Sequence, residues 1–198
     1  FIPLNFDVSD LPATKTALQT LPNDLLTNID VLVNNAGLAL GLEPADKTDF
    51  ADWQQMVNTN ILGLIHLTHE ILPSMVANND GYIINLSSTA GNYPYFGGNV
   101  YGATKAFVTQ FSLNLRADLV GKNIRVSNIE PGLCGGTEFS NIRFHGDDAK
   151  AAQVYDSVQY VTPQDIANMV AWLIEQPKHV NINRIEVMPT AQTFAGLK

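Results

Sequence analysis

GYIINLSSTAGNYPYFGGNVYGATKAF, residues Gly81–Phe107, decides how this chain is read. It opens with a β-type run, Gly81–Leu86, that ends directly at Ser87-Ser88. A Gly/Pro-rich loop follows over Gly91–Asn99, and a helical pattern begins near Val100. On that helix Tyr101 and Lys105 stand four residues apart, so they are neighbours on one face. A serine at a strand end with a tyrosine on the next helix is the layout of a site, because open α/β sheets bind ligands at the carboxyl ends of their strands.

The residue types suit one chemistry. A phenol is a poor acid at neutral pH, with an ordinary pKa of about 10. A cation beside it favours the ionised form. Lys105 is therefore expected to lower the pKa of Tyr101 and make it a workable general acid/base. The Ser88 hydroxyl can hydrogen-bond a substrate carbonyl. Together the three suit hydride transfer to or from a carbonyl. A Tyr-x-x-x-Lys pair on its own is also an ordinary surface pair; the strand, serine, loop and helix around it set this one apart. Ser87 is the nearer alternative to Ser88, and a one-residue shift on a strand points a side chain to the opposite face.

Outward from this stretch the pattern alternates. Strands are expected at Phe1–Val8, Ile29–Asn34, Tyr82–Leu86, Ile124–Ile129 and Arg184–Val187. Helices are expected at Leu11–Leu21, with Asp10 as N-cap and Pro12 in the first turn, at Asp49–Val76, kinked or ended by Pro73, at Val100–Leu119 and at Pro163–Glu175. Leu133–Val161 reads mainly as loop. Helices alternating with continuous apolar strands imply βαβ units and a parallel sheet covered on both faces.

Bulk properties bound the answer. A length of 198 residues favours one domain, and an apolar fraction of 45% can build a substantial core. A net charge of −8 argues against a general nucleic-acid or anionic-membrane surface. The single cysteine, Cys134, excludes an internal disulfide framework and fits a reducing cytosol. No stretch approaches the ~20 apolar residues of a membrane span. His66 and His69 are helix neighbours, but a zinc site needs at least three protein ligands, and HLTHE (residues 66–70) is not the metalloprotease order. His145 and His179 stand alone, and no metal is expected.

Four further pieces carry a family resemblance: LNFDVSD with Asp7-Val8, VLVNNAG (Val31–Gly37), VNTNILG (Val57–Gly63) with Asn60, and IEPGLCGGT (Ile129–Thr137). With the Ser88/Tyr101/Lys105 set, in this order and spacing, the chain resembles the short-chain dehydrogenases/reductases over essentially its whole length. GGNVYGATKAF, FSLNLRADL, EPGLCGGTEFSN and HVNIN look closer still to the NADP-dependent 3-hydroxy acid dehydrogenase branch, which includes serine and allo-threonine dehydrogenases. The resemblance implies a single-domain, doubly wound Rossmann-type sheet. It also implies that the first two strands and the glycine-rich phosphate loop between them lie outside these residues, with Phe1–Val8 as the third strand.

Site roles follow from the same resemblance. Ser88, favoured over Ser87 by the family's serine-to-tyrosine interval, stabilises the substrate oxygen. Tyr101 exchanges its proton. Lys105 also binds the nicotinamide ribose. The Asn60 side chain helps hold a water that links the lysine to solvent. Asp7 receives the adenine amino group and Val8 contacts the ring. Asn35, Ala36 and Gly37 pass close to the adenosine ribose. Pro131, Gly132 and Thr137 cup the nicotinamide, although Thr137 lies one residue later than the family's pattern. Arg143, in SNIRFHG, is the candidate partner for a substrate carboxylate; a solvent-facing arginine on a lid is the alternative. The implied cofactor is NADP, with NAD possible. The implied substrate is a small 3-hydroxy acid, and the implied assembly is a cytoplasmic homotetramer or homodimer joined through the two long helices. A ketoreductase of acyl thioesters or small ketones, and a noncatalytic Rossmann-like binding protein, are the alternative functions.

Overall fold

In the computed structural model all residues except Ser157, Ala195 and Lys198 are described, Gly196 and Leu197 by their backbone. Four strands run parallel in the spatial order β1 (Val31–Asn34), β2 (Gly81–Leu86), β3 (Ile124–Pro131) and β4 (Arg184–Val187). Their register places Val33 beside Ile84, and Ile84 beside Ser127. Each residue of β2 is buried, as a strand covered on both faces requires. The side chains alternate accordingly. Ile83 packs with Leu18, Ile71, Met75, Leu115, Leu119, Ile124 and Val126 on one face. Tyr82, Ile84 and Leu86 pack with Ile129 and Leu173 on the other.

The helices that supply these faces are α1 (Leu11–Gln19), α2 (Asn23–Thr27), α3 (Phe50–Val57), α4 (Leu64–Asn78), α5 (Asn99–Asp118), α6 (Phe139–Arg143), α7 (Asp148–Gln153) and α8 (Pro163–Glu175). Helices α1, α4 and α5 cover the first face and α8 the second, giving the three layers of a Rossmann-type α/β fold. The expected start of α1 is found: the Asp10 side chain accepts from Ala13 N at 3.0 Å, with Pro12 in the first turn. Helix α8 opens with a reciprocal capping box between Thr162 and Asp165. A short antiparallel pair, β5 (Gln192–Thr193) and β6 (Gly196–Leu197), lies near the carboxyl end.

Two expectations are corrected. Phe1–Val8 is not a strand; it runs irregularly into a turn at Val8-Ser9. A strand exists through its ladder, and β1 is the outer strand of the sheet on that side, so among the described residues nothing pairs with this segment. The long helix is not ended by Pro73. It is interrupted earlier, by a π-helical segment at Asn58–Gly63, and α4 runs past Pro73 to Asn78, closing on Asn79 in the left-handed conformation (φ 50). The stretch Leu133–Val161 is mainly loop, as expected, with the short helices α6 and α7 set within it. Helix α7 is capped by Asp147, whose side chain accepts from Lys150 N at 3.1 Å.

Candidate active site

The carboxyl ends of β1, β2 and β3 and the first turns of α5 open onto a cavity of about 1030 Å³. Ser88, Tyr101 and Lys105 are on its wall, together with Asn35, Gly37, Pro131, Gly132, Thr137 and Arg143. Among the described residues, Asp7, Val8, Ala36 and Asn60 do not line it.

Ser88 ends the strand segment in extended conformation and caps a 3₁₀ turn, Thr89–Gly91. Its Oγ accepts from Ala90 N at 3.1 Å and donates to Pro131 O at 3.2 Å. Ser87 Oγ instead donates to Lys105 O at 2.6 Å inside the protein. Both serines reach the cavity wall; they differ in that the Ser87 hydroxyl is bonded to the α5 backbone while Ser88 caps the turn. The turn sits hard against α5, because a Cβ on Gly91 would stand 2.7 Å from Ala106 N and from Lys105 C.

Tyr101 is 8% exposed, with the Phe139 ring edge-on at 5.8 Å. Burial pushes its pKa up to about 12, against a hydrogen bond to Ser88 and the charge of Arg143, which pull the other way. Lys105 is buried, and its Nζ donates to Leu86 O at 2.9 Å, 5.9 Å from the Tyr101 ring centroid. Its own pKa is drawn down to about 8 by burial. In the ligand-free protein desolvation therefore outweighs the charges near the ring, and the Lys105 ammonium is turned toward a strand carbonyl.

Asn60 lies in the π segment, buried. Its Oδ1 accepts from Leu38 N at 2.9 Å, and its Nδ2 donates to Leu38 O at 2.8 Å and to Thr104 Oγ1 at 3.0 Å. Both amide protons are spent on protein, and the side chain clamps the Leu38 backbone from both sides. That clamp presses Gly37 against the site: a Cβ there would stand 3.2 Å from Lys105 Nζ and 3.3 Å from Asn60 Oδ1. Asp7 uses Oδ1 to accept from Ser9 N and Ser9 Oγ, both at 2.8 Å, and these bonds lower its pKa. Thr137 Oγ1 accepts from Phe139 N at 3.2 Å, next to the start of α6.

Arg143, at the end of α6, lies over the tyrosine. Its guanidinium carbon is 5.1 Å from the Tyr101 ring centroid and 5.4 Å from that of Phe139, and Nη2 donates to Tyr95 Oη at 2.7 Å. Its Nε is buried and has no hydrogen-bond partner among the described residues. Tyr95 and Phe139 are site residues that sequence reasoning missed. The only signal was aromatic richness in loops, which a core would show equally. The paired imidazoles His66 and His69 both approach Glu70, at 3.6 and 3.9 Å.

A family model for the short chain dehydrogenases matches residues 1–147. A probable NADP-dependent dehydrogenase of Haemophilus influenzae is 70% identical over 197 residues, which span 100% of this chain and 78% of that protein. The NADP-dependent 3-hydroxy acid dehydrogenase YdfG of Escherichia coli (strain K12) is 56% identical over 191 residues, 96% of this chain and 77% of the relative. Among solved structures, the closed form of serine dehydrogenase complexed with NADP+ superposes with a TM-score of 0.94 at 56% identity, covering 98% of this chain and 77% of that one. Family match, relatives and a strand-end serine facing a helix-borne tyrosine and lysine agree, and the chain belongs to the short-chain dehydrogenases.

Proposed function

We propose that this chain transfers a hydride between NADP and the hydroxyl-bearing or carbonyl carbon of a small 3-hydroxy acid such as serine, allo-threonine or 3-hydroxypropionate. One observation carries the reading: Arg143 stands over the ring of the buried Tyr101, on the cavity wall that also holds Ser88 and Lys105. The names of the relatives support the substrate class and the cofactor. The residues present fit the nicotinamide end of NADP. The cradle at Gly37 would be filled by a side chain, and a buried lysine amine with donors to spare lies beside it.

NADP, when bound, supplies the hydride acceptor or donor. The protein residues handle the rest. In oxidation Tyr101 Oη takes the proton of the substrate hydroxyl as hydride leaves the same carbon; in reduction it returns the proton to the carbonyl oxygen. The Ser88 hydroxyl, within reach of the same oxygen, steadies the charge developing on it. Lys105 Nζ keeps one proton on Leu86 O and offers the others to the ribose hydroxyls. Asn60, through Leu38, holds Gly37 in place. Asn35, Ala36, Gly37, Pro131, Gly132 and Thr137 frame the cofactor, with Asp7 and Val8 at its adenine end. Arg143 meets the substrate carboxylate with its unpartnered Nε, while Tyr95 fixes the other side of the fork. These residues belong to one catalytic domain that works in the cytoplasm as a dimer or tetramer.

The test is a panel of 3-hydroxy acids and matched neutral alcohols scored by NADPH formation. Turnover of the acids is expected, and Arg143→Ala should raise KM for them selectively. No NADP-dependent turnover of any 3-hydroxy acid would overturn the function. An equal effect of Arg143→Ala on acids and neutral alcohols would overturn the carboxylate role.

A further inference from the structure

Glu130 is a fully buried carboxylate (0% exposed) on β3, immediately before Pro131, whose carbonyl receives the Ser88 hydroxyl. An isolated ionised carboxylate inside a protein is costly and persists only when paired and hydrogen-bonded. This one is paired. Arg184 Nε reaches Oε1 at 2.9 Å and Nη2 reaches Oε2 at 2.7 Å, a two-point ion pair. Three more donors complete the shell: Asn128 Nδ2 at 2.7 Å and Thr109 Oγ1 at 3.1 Å on Oε1, and Asn92 Nδ2 at 2.7 Å on Oε2. Replacing such a group by an apolar one is often neutral for stability, so stability alone does not account for it.

What the donors are attached to is informative. Asn92 closes the 3₁₀ turn that Ser88 caps. Thr109 is one helical turn beyond Lys105 on α5, and its Oγ1 lies 3.0 Å from Ser87 Oγ, which donates to Lys105 O. Two hydroxyl protons serve three contacts here. The carboxylate draws the Thr109 proton to itself, which leaves the Ser87 proton for the Lys105 carbonyl. One charge therefore ties together the serine turn, the Tyr101/Lys105 helix and the strand end that receives Ser88.

We propose that Glu130, held by Arg184, is a positioning residue that sets the distance and orientation between Ser88 and the Tyr101/Lys105 pair. This rests on the catalytic reading of those three residues. Misplacement of reacting groups by about 1 Å can cost about 10²-fold in rate. Glu130→Gln keeps the shape and removes the charge. Thr109→Val keeps the carboxylate and its ion pair but removes the link to the helix, and Thr109→Ser restores it.

The experiment measures kcat, KM, NADPH affinity by fluorescence and thermal midpoint for these three variants and for Tyr101→Phe, all in the full-length protein. The expected result is a fall in kcat of roughly tenfold to 10²-fold in Glu130→Gln and Thr109→Val. Near-normal KM and NADPH affinity should accompany it, with kcat recovered in Thr109→Ser. Should Glu130→Gln not fold, the Thr109 pair decides alone. Unchanged kcat in Thr109→Val, or a lowered midpoint without any loss of kcat in Glu130→Gln, overturns the positioning role while Tyr101→Phe remains inactive. Near-normal turnover in Tyr101→Phe overturns instead the catalytic reading beneath it.

Discussion

Tyr101 is buried enough to favour its neutral form, yet oxidation asks it to accept a proton. With a pKa near 12 in the ligand-free protein, the phenolate is scarce at neutral pH, so the oxidation rate should climb as pH rises. Removing the hydroxyl in Tyr101→Phe leaves the ring packed on Phe139 and should lower turnover by about 10²–10⁴-fold with the fold retained. Steady-state kinetics and a thermal melt read both outcomes, and turnover near normal would reject the assignment. Lys105 gives a stability signature of opposite sign to the tyrosine. Its folded pKa, about 8, lies below the unfolded value, so the unfolded chain binds more protons between the two. Ligand-free stability should therefore rise with pH from about 8 to about 10. Above that it should fall as the unfolded tyrosine ionises while the folded one, near 12, does not. Urea midpoints across this range should show the rise, and Lys105→Met should flatten it. Ser88, Tyr101 and Lys105 were legible because their spacing along the chain encodes their meeting in space. The direction of the Tyr101 shift was not, because desolvation depends on Phe139 and the other walls brought in by distant loops. Glu130 was invisible for the same reason: its partners Asn92, Thr109 and Arg184 come from three separate elements.

At the scale of elements, the parts of the site are held by contacts between backbones. The Thr89–Gly91 turn and α5 approach until a Cβ at Gly91 would overlap helix main-chain atoms at 2.7 Å, which no side-chain rotation relieves. Gly91→Ala should therefore cost about 1–3 kcal/mol of stability, the usual range for overpacking, and should also lower kcat by displacing Ser88 from Tyr101. Calorimetry and kinetics on the same sample check the pair of effects; loss of stability with full kcat would mean that the helix, not the serine turn, gives way. Elements with strong local signals matched their expected bounds closely, as in α8, where Thr162-Pro163 and the acid at Asp165 mark the start. Those whose form depends on neighbours did not. Phe1–Val8 has strand composition without a strand among the described residues to pair with, and the π segment arises where Asn60 is drawn to the Leu38 backbone. Helices α6 and α7, of five and six residues, are too short to show a hydrophobic period.

Taken whole, the molecule buries both faces of its sheet but leaves apolar side chains on the helices flanking the site. Val57 and Leu62 on the α3–α4 rod are 36% and 37% exposed, and Phe50 at its start is 70% exposed. On α5, Phe107 is 37% exposed and stacks on Phe111 with ring centroids 5.8 Å apart. Single exposed hydrophobics are ordinary, but aromatic and aliphatic residues recurring on two long helices of one layer are the pattern expected of a surface that a partner would cover. A second copy of the same chain is the simplest partner, because a symmetric interface needs only one self-complementary patch. Light scattering of the full-length protein at micromolar concentration should then report a dimer or tetramer. Phe107→Glu, which sets a charge in the middle of that patch, should shift the distribution to smaller species while leaving Tyr101, on the buried side of the same helix, in place. A monomeric full-length protein, or a Phe107→Glu variant with unchanged mass, would show that these helices face solvent.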